Sequence, residues 1–145
     1  MGSKSPLYSQ VEPFSRPRDG RAAVEVLQTV VPFLALAIAM MFLADRGHWW
    51  VALALAVPAA GFLVRIFIIF HDCGHGSFFR SRTANNVAGI ITGLLTFTPY
   101  YRWRHDHAVH HATAGDLDRR GVGDVQTLTV GEYLALPRLQ RFIYS

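Results

Sequence analysis

Residues 26–75 read VLQTVVPFLALAIAMMFLADRGHWWVALALAVPAAGFLVRIFIIFHDCGH, and the fold turns on how this stretch is read. Val26 to Ala44 carries no charge, and Trp49 to Phe70 is interrupted only by Arg65. At about 1.5 Å per helical residue, each run reaches across a hydrocarbon layer of about 30 Å. A chain of 145 residues is one domain or less. It is too small to wrap two such helices inside a soluble core, so both are expected to span a membrane. The link DRGHWW is short enough only for a tight helical hairpin, with Trp49 and Trp50 where an interfacial aromatic belt would place them.

The charges outside the hairpin set its direction. Lys4, Arg16, Arg18 and Arg21 precede the first run, and Arg80, Arg82, Arg102 and Arg104 follow the second. By the positive-inside rule both flanks are cytoplasmic and the hairpin tip lies outside. Residues 1–22 are read as a polar cytoplasmic tail. Pro6 breaks the myristoylation pattern, and the first apolar run starts too late and runs too long for a secretory signal. The net charge of +4 is then a matter of topology and contact with membrane lipids. A nucleic-acid partner would need the cations gathered on one soluble face, and they are not. Cys73 is the single cysteine, so no internal disulfide forms.

Four of the seven histidines stand in HDHAVHH, residues 105–111. His107, His110 and His111 are spaced i, i+3, i+4 and share one helical face. His105 falls about 200° round from His107, on the opposite side. Directly after the second span, His71 and His75 are four apart and again lie one turn above the other. Neutral imidazole is the commonest nitrogen ligand for transition metals, so five imidazoles without a thiolate suit iron, zinc, copper or nickel. Cys73 is off the ligand face. Asp72 and Asp106 are candidates to orient ligating rings through their second nitrogen, or else solvated helix residues. The bland alternative is a histidine-rich polar loop or a pH-sensing cluster.

Both groups of histidines stand on one side of the membrane only if VAGIITGLLTFTP, Val87 to Pro99, does not cross it. Thirteen residues give about 20 Å of helix, short of a span, and Thr92, Thr96, Thr98, Gly89 and Gly93 weaken it further. An interfacial or re-entrant segment is expected.

HDCGHGSFF after an apolar hairpin, followed by WRHDHAVHHATAGDLDRRGVGDVQTLTVGEYLAL, resembles the membrane fatty acid desaturase family, most closely its bacterial acyl-lipid and Δ12-like members. The likeness covers about residues 25–145. It implies an all-α membrane fold: a transmembrane hairpin (spans about 26–44 and 49–70), cytosolic histidine-bearing helices (boxes 71–75 and 107–111) and a short interfacial segment. It also implies two iron ions, with His71, His75, His107, His110 and His111 among their ligands. The implied reaction uses O₂ and two electrons from a ferredoxin- or cytochrome-type donor to desaturate a fatty acyl lipid or acyl thioester. The implied location is a bacterial cytoplasmic membrane with the boxes facing the cytosol.

The family's third box, another His-x-x-His-His, has no counterpart after His111. The expectation is therefore that residues 23–145 are the N-terminal part of a desaturase domain, inserting as a hairpin but inactive alone. Related hydroxylases, ketolases and alkane monooxygenases reuse the same boxes and stay open as alternatives. A membrane metal-binding or transport protein would need polar residues lining a path through the spans. Neither span contains a histidine.

Three further features carry expectations. Arg65 is about 9 Å before His71 along the helix and is read as snorkelling to the headgroups, while His48 sits at the outer turn, far from the boxes. GDLDRRGVGD, Gly115 to Asp124, either holds a turn or contacts a carrier headgroup or electron donor. TVGE, Thr129 to Glu132, reads as a capping box opening a helix that Pro137 kinks.

Overall fold

The computed structural model describes residues 16–121, 123 and 126–144. Most of the expected tail, residues 1–22, lies outside them, as do Val122 and Asp124 of the glycine- and aspartate-rich loop. The fold is all-α: six helices and no strand among the described residues. They are α1 (Asp19–Asp45), α2 (Trp49–His75), α3 (Arg82–Leu95), α4 (Tyr100–Thr113), α5 (Val130–Ala135) and α6 (Arg138–Tyr144). The chain divides into two compact units, Met1–Tyr100 and Tyr101–Ser145.

The first unit is the hairpin with α3 against it. Helices α1 and α2 have 27 residues each, about 40 Å of helix, and both are long and apolar enough to cross a membrane. The turn between them closes as a Schellman motif. His48 N–H donates to the Leu43 carbonyl at 2.8 Å and Gly47 N–H to that of Ala44 at 3.0 Å. Gly47 has φ 79°, left-handed backbone open to glycine at no steric cost. At the other end, Arg80 N–H donates to Asp19 Oδ1 at 2.9 Å and Arg80 Nε to the Pro17 carbonyl at 3.0 Å. These bonds return the chain after α2 to the start of α1.

Small residues bring the helices together. Ala22 and Thr29 of α1 are buried, with Ala52, Ala59, Ile66, Ile69, Phe70 and Cys73 of α2. Most other large apolar side chains of the pair point outward, Met41 at 74% and Val57 at 75% exposed. A soluble core helix would hide them, whereas hydrocarbon solvates them as well as protein does. Pro32 and Pro58 sit inside these helices without ending them, as membrane helices tolerate. Helix α1 begins two turns before its apolar run, with Asp19 in the first turn favouring the helix dipole.

Helix α3 starts earlier than the apolar run from Val87 suggests. Ser81 caps it, its hydroxyl accepting from Ala84 N–H at 3.4 Å, so the polar residues Arg82 to Asn86 belong to the helix. At 14 residues it is too short to span. One face, with Asn85, Gly89, Thr92 and Gly93, packs inward against α2. Gly89-x-x-x-Gly93 is the small-residue spacing that lets helices approach closely. The helix ends through Phe97 at φ 54°, with Thr98 N–H bonded to the Gly93 carbonyl at 2.8 Å.

The second unit holds the remainder of α4, a loop, and α5 and α6. Thr129 and Glu132 form the expected capping box. Pro137 does more than kink the helix that follows. Leu136 is pushed to extended backbone (φ −68°, ψ 146°), as residues before proline are, and the stretch splits into α5 and α6. The two halves fold together through Tyr133 and Tyr144, ring centroids 5.8 Å apart, and through Leu128 N–H donating to the Tyr144 hydroxyl at 3.0 Å.

Candidate metal centre

Helix α2 runs unbroken from its apolar segment through His75, so the phase read from the sequence holds for the first pair. His71 Nε2 and His75 Nε2 lie 3.3 Å apart. Two nitrogens that bind one ion at about 2.0–2.1 Å in neighbouring positions are separated by about 3 Å, so the pair fits a shared metal. Asp72 Oδ1 lies 3.0 Å from His71 Nδ1. When Nδ1 carries the proton and donates to this carboxylate, Nε2 keeps its lone pair for a ligand.

Cys73 stands between the two histidines but faces inward, wholly buried. Burial pushes its thiol up to about 12, and the neighbouring Asp72 carboxylate adds to the rise. Its inward position keeps it off the helix face that carries the two histidines. Helix α2 then ends in a second Schellman turn, with Gly76 at φ 69°. Asn85 holds the exit: its amide donates to the carbonyls of Phe79 (2.7 Å) and Ser81 (3.0 Å), and its Oδ1 accepts from Phe79 N–H (3.0 Å).

In the second unit, α4 brings the expected trio to one side. His107 Nε2 and His111 Nε2 are 3.1 Å apart, again a separation suited to one ion. His110 joins them, its ring centroid 6.0 Å from that of His107 and 5.6 Å from that of His111. Trp103, one turn earlier, stacks on His107 at 4.3 Å. His105 is exposed and takes no part in these ring contacts, as the helical phase predicts. Asp106 turns to Arg102, 3.8 Å away, which favours its reading as a solvated helix residue.

Among its described residues, the loop after α4 turns on local bonds. Asp116 Oδ1 accepts from Asp118 N–H at 3.0 Å and Asp116 pairs with Arg119 at 3.5 Å. Arg120 reaches Glu132 at 3.1 Å. The Thr129 backbone N–H, then Arg120 and the Thr129 hydroxyl, hold the Glu132 carboxyl down at about 2. Gly123, at φ 75°, lies against His110; a β-carbon there would sit 3.5 Å from that of His110.

Asn85, Gly89, Tyr100 and Gly123 pack or bond near the histidines without being singled out by the histidine pattern. The Gly89-x-x-x-Gly93 spacing is a local sign of close packing; for Asn85 and Tyr100 the sequence carries none.

Residues 47–142 match the family described as Fatty acid desaturase. A fatty acid desaturase of Bacillus subtilis (strain 168) is 45% identical over 138 residues, 95% of this chain and 39% of that relative. An sn-1 acyl-lipid omega-3 desaturase (ferredoxin) of Synechocystis is 45% identical over 53 residues, 37% of this chain and 15% of the relative. An acyl-lipid omega-3 desaturase (cytochrome b5) of the Arabidopsis thaliana endoplasmic reticulum is 35% identical over 99 residues, 68% of this chain and 25% of its own length. The chain thus spans well under half the length of each. No solved structure matches it significantly.

Proposed function

The chain belongs to the fatty acid desaturase family, and from that premise we propose that it serves an O₂-dependent, iron-containing membrane desaturase acting on a fatty acyl chain. The observation that carries the proposal is the repeated donor geometry. Two i,i+4 histidine pairs hold their Nε2 atoms 3.3 and 3.1 Å apart, the first at the end of an apolar helix of spanning length. His71, His75, His107, His110 and His111 are the ligands we assign to a centre of two iron ions. Other residues of the whole protein complete the set.

The reaction removes two hydrogens from adjacent methylenes: –CH₂–CH₂– + O₂ + 2 e⁻ + 2 H⁺ gives –CH=CH– + 2 H₂O. Bound iron supplies the oxygen activation that no side chain offers. The chain's own residues do the rest. Neutral imidazoles hold the ions, Asp72 keeps the His71 proton on Nδ1, and the apolar hairpin keeps the substrate's hydrocarbon in a water-poor environment. The relatives named for ferredoxin and for cytochrome b5 support a small one-electron protein as donor. A fatty acyl lipid or acyl thioester is the substrate.

We place residues 23–145 in the desaturase domain, with spans about 26–44 and 49–70 in a bacterial cytoplasmic membrane and the boxes at 71–75 and 107–111 in the cytosol. The arginines flanking the hairpin and the shortness of α3 support this orientation. Cysteines introduced at Ser77 and Thr113 in a Cys73→Ser background should both label from the cytoplasm. Labelling of either from outside alone would overturn the topology. For the activity, the full-length protein is expressed in a host without desaturases and its lipids are analysed. New double bonds are expected, and hydroxylated or ketonic products would instead assign it to the related oxygenases.

A further inference from the structure

Tyr100 opens α4, yet it is 4% exposed and is the buried residue of that helix. Its ring meets Phe70 edge-on, centroids 5.8 Å apart at 77°. It fills the notch at Gly89, where a β-carbon would lie 2.6 Å from Cδ2 and Cζ and closer still to Cε2. Only glycine leaves room for it. The hydroxyl donates to the Cys73 carbonyl at 2.9 Å and lies 3.3 Å from Asn86 Oδ1.

The Cys73 carbonyl belongs to the turn from His71 to His75. It also accepts from Gly76 N–H at 2.9 Å, the bond that closes α2. One carbonyl midway between the two histidines is therefore held by the helix terminus and by a side chain 27 residues away. The last turn of a helix ordinarily frays, because its carbonyls lack intrahelical partners. A ligand pair on a fraying turn must be ordered by the metal itself, which weakens binding.

We propose that Tyr100 is a positioning residue for metal binding. Seated in the Gly89 notch and bonded to the Cys73 carbonyl, it holds the terminal turn of α2 so that His71 and His75 present their Nε2 atoms together. The inference rests on the reading of those two histidines as ligands. Tyr100 touches no metal and acts through the backbone between them.

The test uses the full-length protein in lipid nanodiscs, stripped of metal and titrated with Co²⁺ as a spectroscopic probe. Wild type, Tyr100→Phe, Gly89→Ala and the double variant are compared, with thermal melting recorded for each. Tyr100→Phe keeps the ring and removes one buried hydrogen bond, so Co²⁺ affinity should fall roughly threefold to tenfold. Gly89→Ala expels the ring and should weaken binding at least as much. Adding Tyr100→Phe to Gly89→Ala should then change nothing further, since the two act on one contact. A lowered melting point with unchanged Co²⁺ affinity in Tyr100→Phe would make Tyr100 a structural brace and overturn the inference. His71→Ala separates the two readings: if it binds Co²⁺ like wild type, the ligand assignment itself is wrong. If Gly89→Ala fails to fold, Tyr100→Phe decides alone.

Discussion

The two histidine groups have similar nitrogen separations but sit on differently buried helices. His71 and His75 stand at the end of a helix whose last turns are backed by Ile69, Phe70 and Cys73, all at most 2% exposed. Asn85 and Tyr100 brace that end from another helix and another turn. His107, His110 and His111 sit on a helix whose only buried residue is Tyr100. Ring contacts run along the same helix, with Trp103 stacked on His107, and the backbone of Gly123 lies against His110. The carboxylates divide likewise, Asp72 reaching the His71 ring and Asp106 an arginine. Contacts from other helices thus back the first group, and the ring contacts described for the second follow the periodicity of its own helix.

The largest effects should fall on the proposed ligands of both groups alike. In the full-length protein, His71→Ala and His107→Ala should each remove nearly all iron measured by elemental analysis, while His105→Ala should leave it close to wild type. Equal loss from His105→Ala would mean that α4 does not present one face.

The carboxylates give the sharpest contrast. Asp72→Asn should weaken metal binding roughly 10- to 100-fold, as losses of such orienting partners do. Asp106→Asn should leave it within about twofold. If calorimetric titration finds the two equal, the first group has no privileged support.

Stability separates the regions further. Asn85→Ala leaves the backbone N–H and carbonyl of Phe79 without their side-chain partner and should cost about 2–3 kcal/mol. Trp103→Ala removes a stacked ring at the edge of the other group and should cost about 1 kcal/mol. Chemical denaturation in detergent compares them, and a larger loss from Trp103→Ala would reverse the ranking.

The smallest effect is local. The Glu132 carboxyl is held down at about 2 against its ordinary 4.5. A depressed carboxyl stabilises the folded cap above the ordinary value, and that contribution fades as pH falls from 4.5 towards 2. Amide protection at the start of α5, taken relative to the intrinsic exchange rate at each pH, should fall over this window and stay level above it. Glu132→Gln, which has no carboxyl to protonate, should remove the dependence.

Much of this was legible in the residues. The uncharged run from Val26 to Ala44 needs no tertiary partner to be a helix of spanning length, because each backbone group is satisfied within it. The phase that gathers His107, His110 and His111 and turns His105 away follows from 3.6 residues per turn alone. The capping box at Thr129 follows from local hydrogen-bonding chemistry in the same way. The start of α3 at Arg82 was less visible, since a polar first turn hides the helix from a reading of apolar runs, although Ser81 marks its cap.

Sequence by itself therefore determined what depends on neighbours along the chain: the long apolar helices, the tight hairpin at DRGHWW, and which histidines share a face. Tertiary structure alone decided how the first pair is held. The seat of Tyr100 over Gly89, its bond to the Cys73 carbonyl, and the grip of Asn85 on Phe79 join different helices and turns. Tyrosine and asparagine carry no pattern that names such partners. Those contacts exist only because small residues let backbones approach within side-chain reach, and distance in space, unlike helical phase, is not written in spacing along the chain.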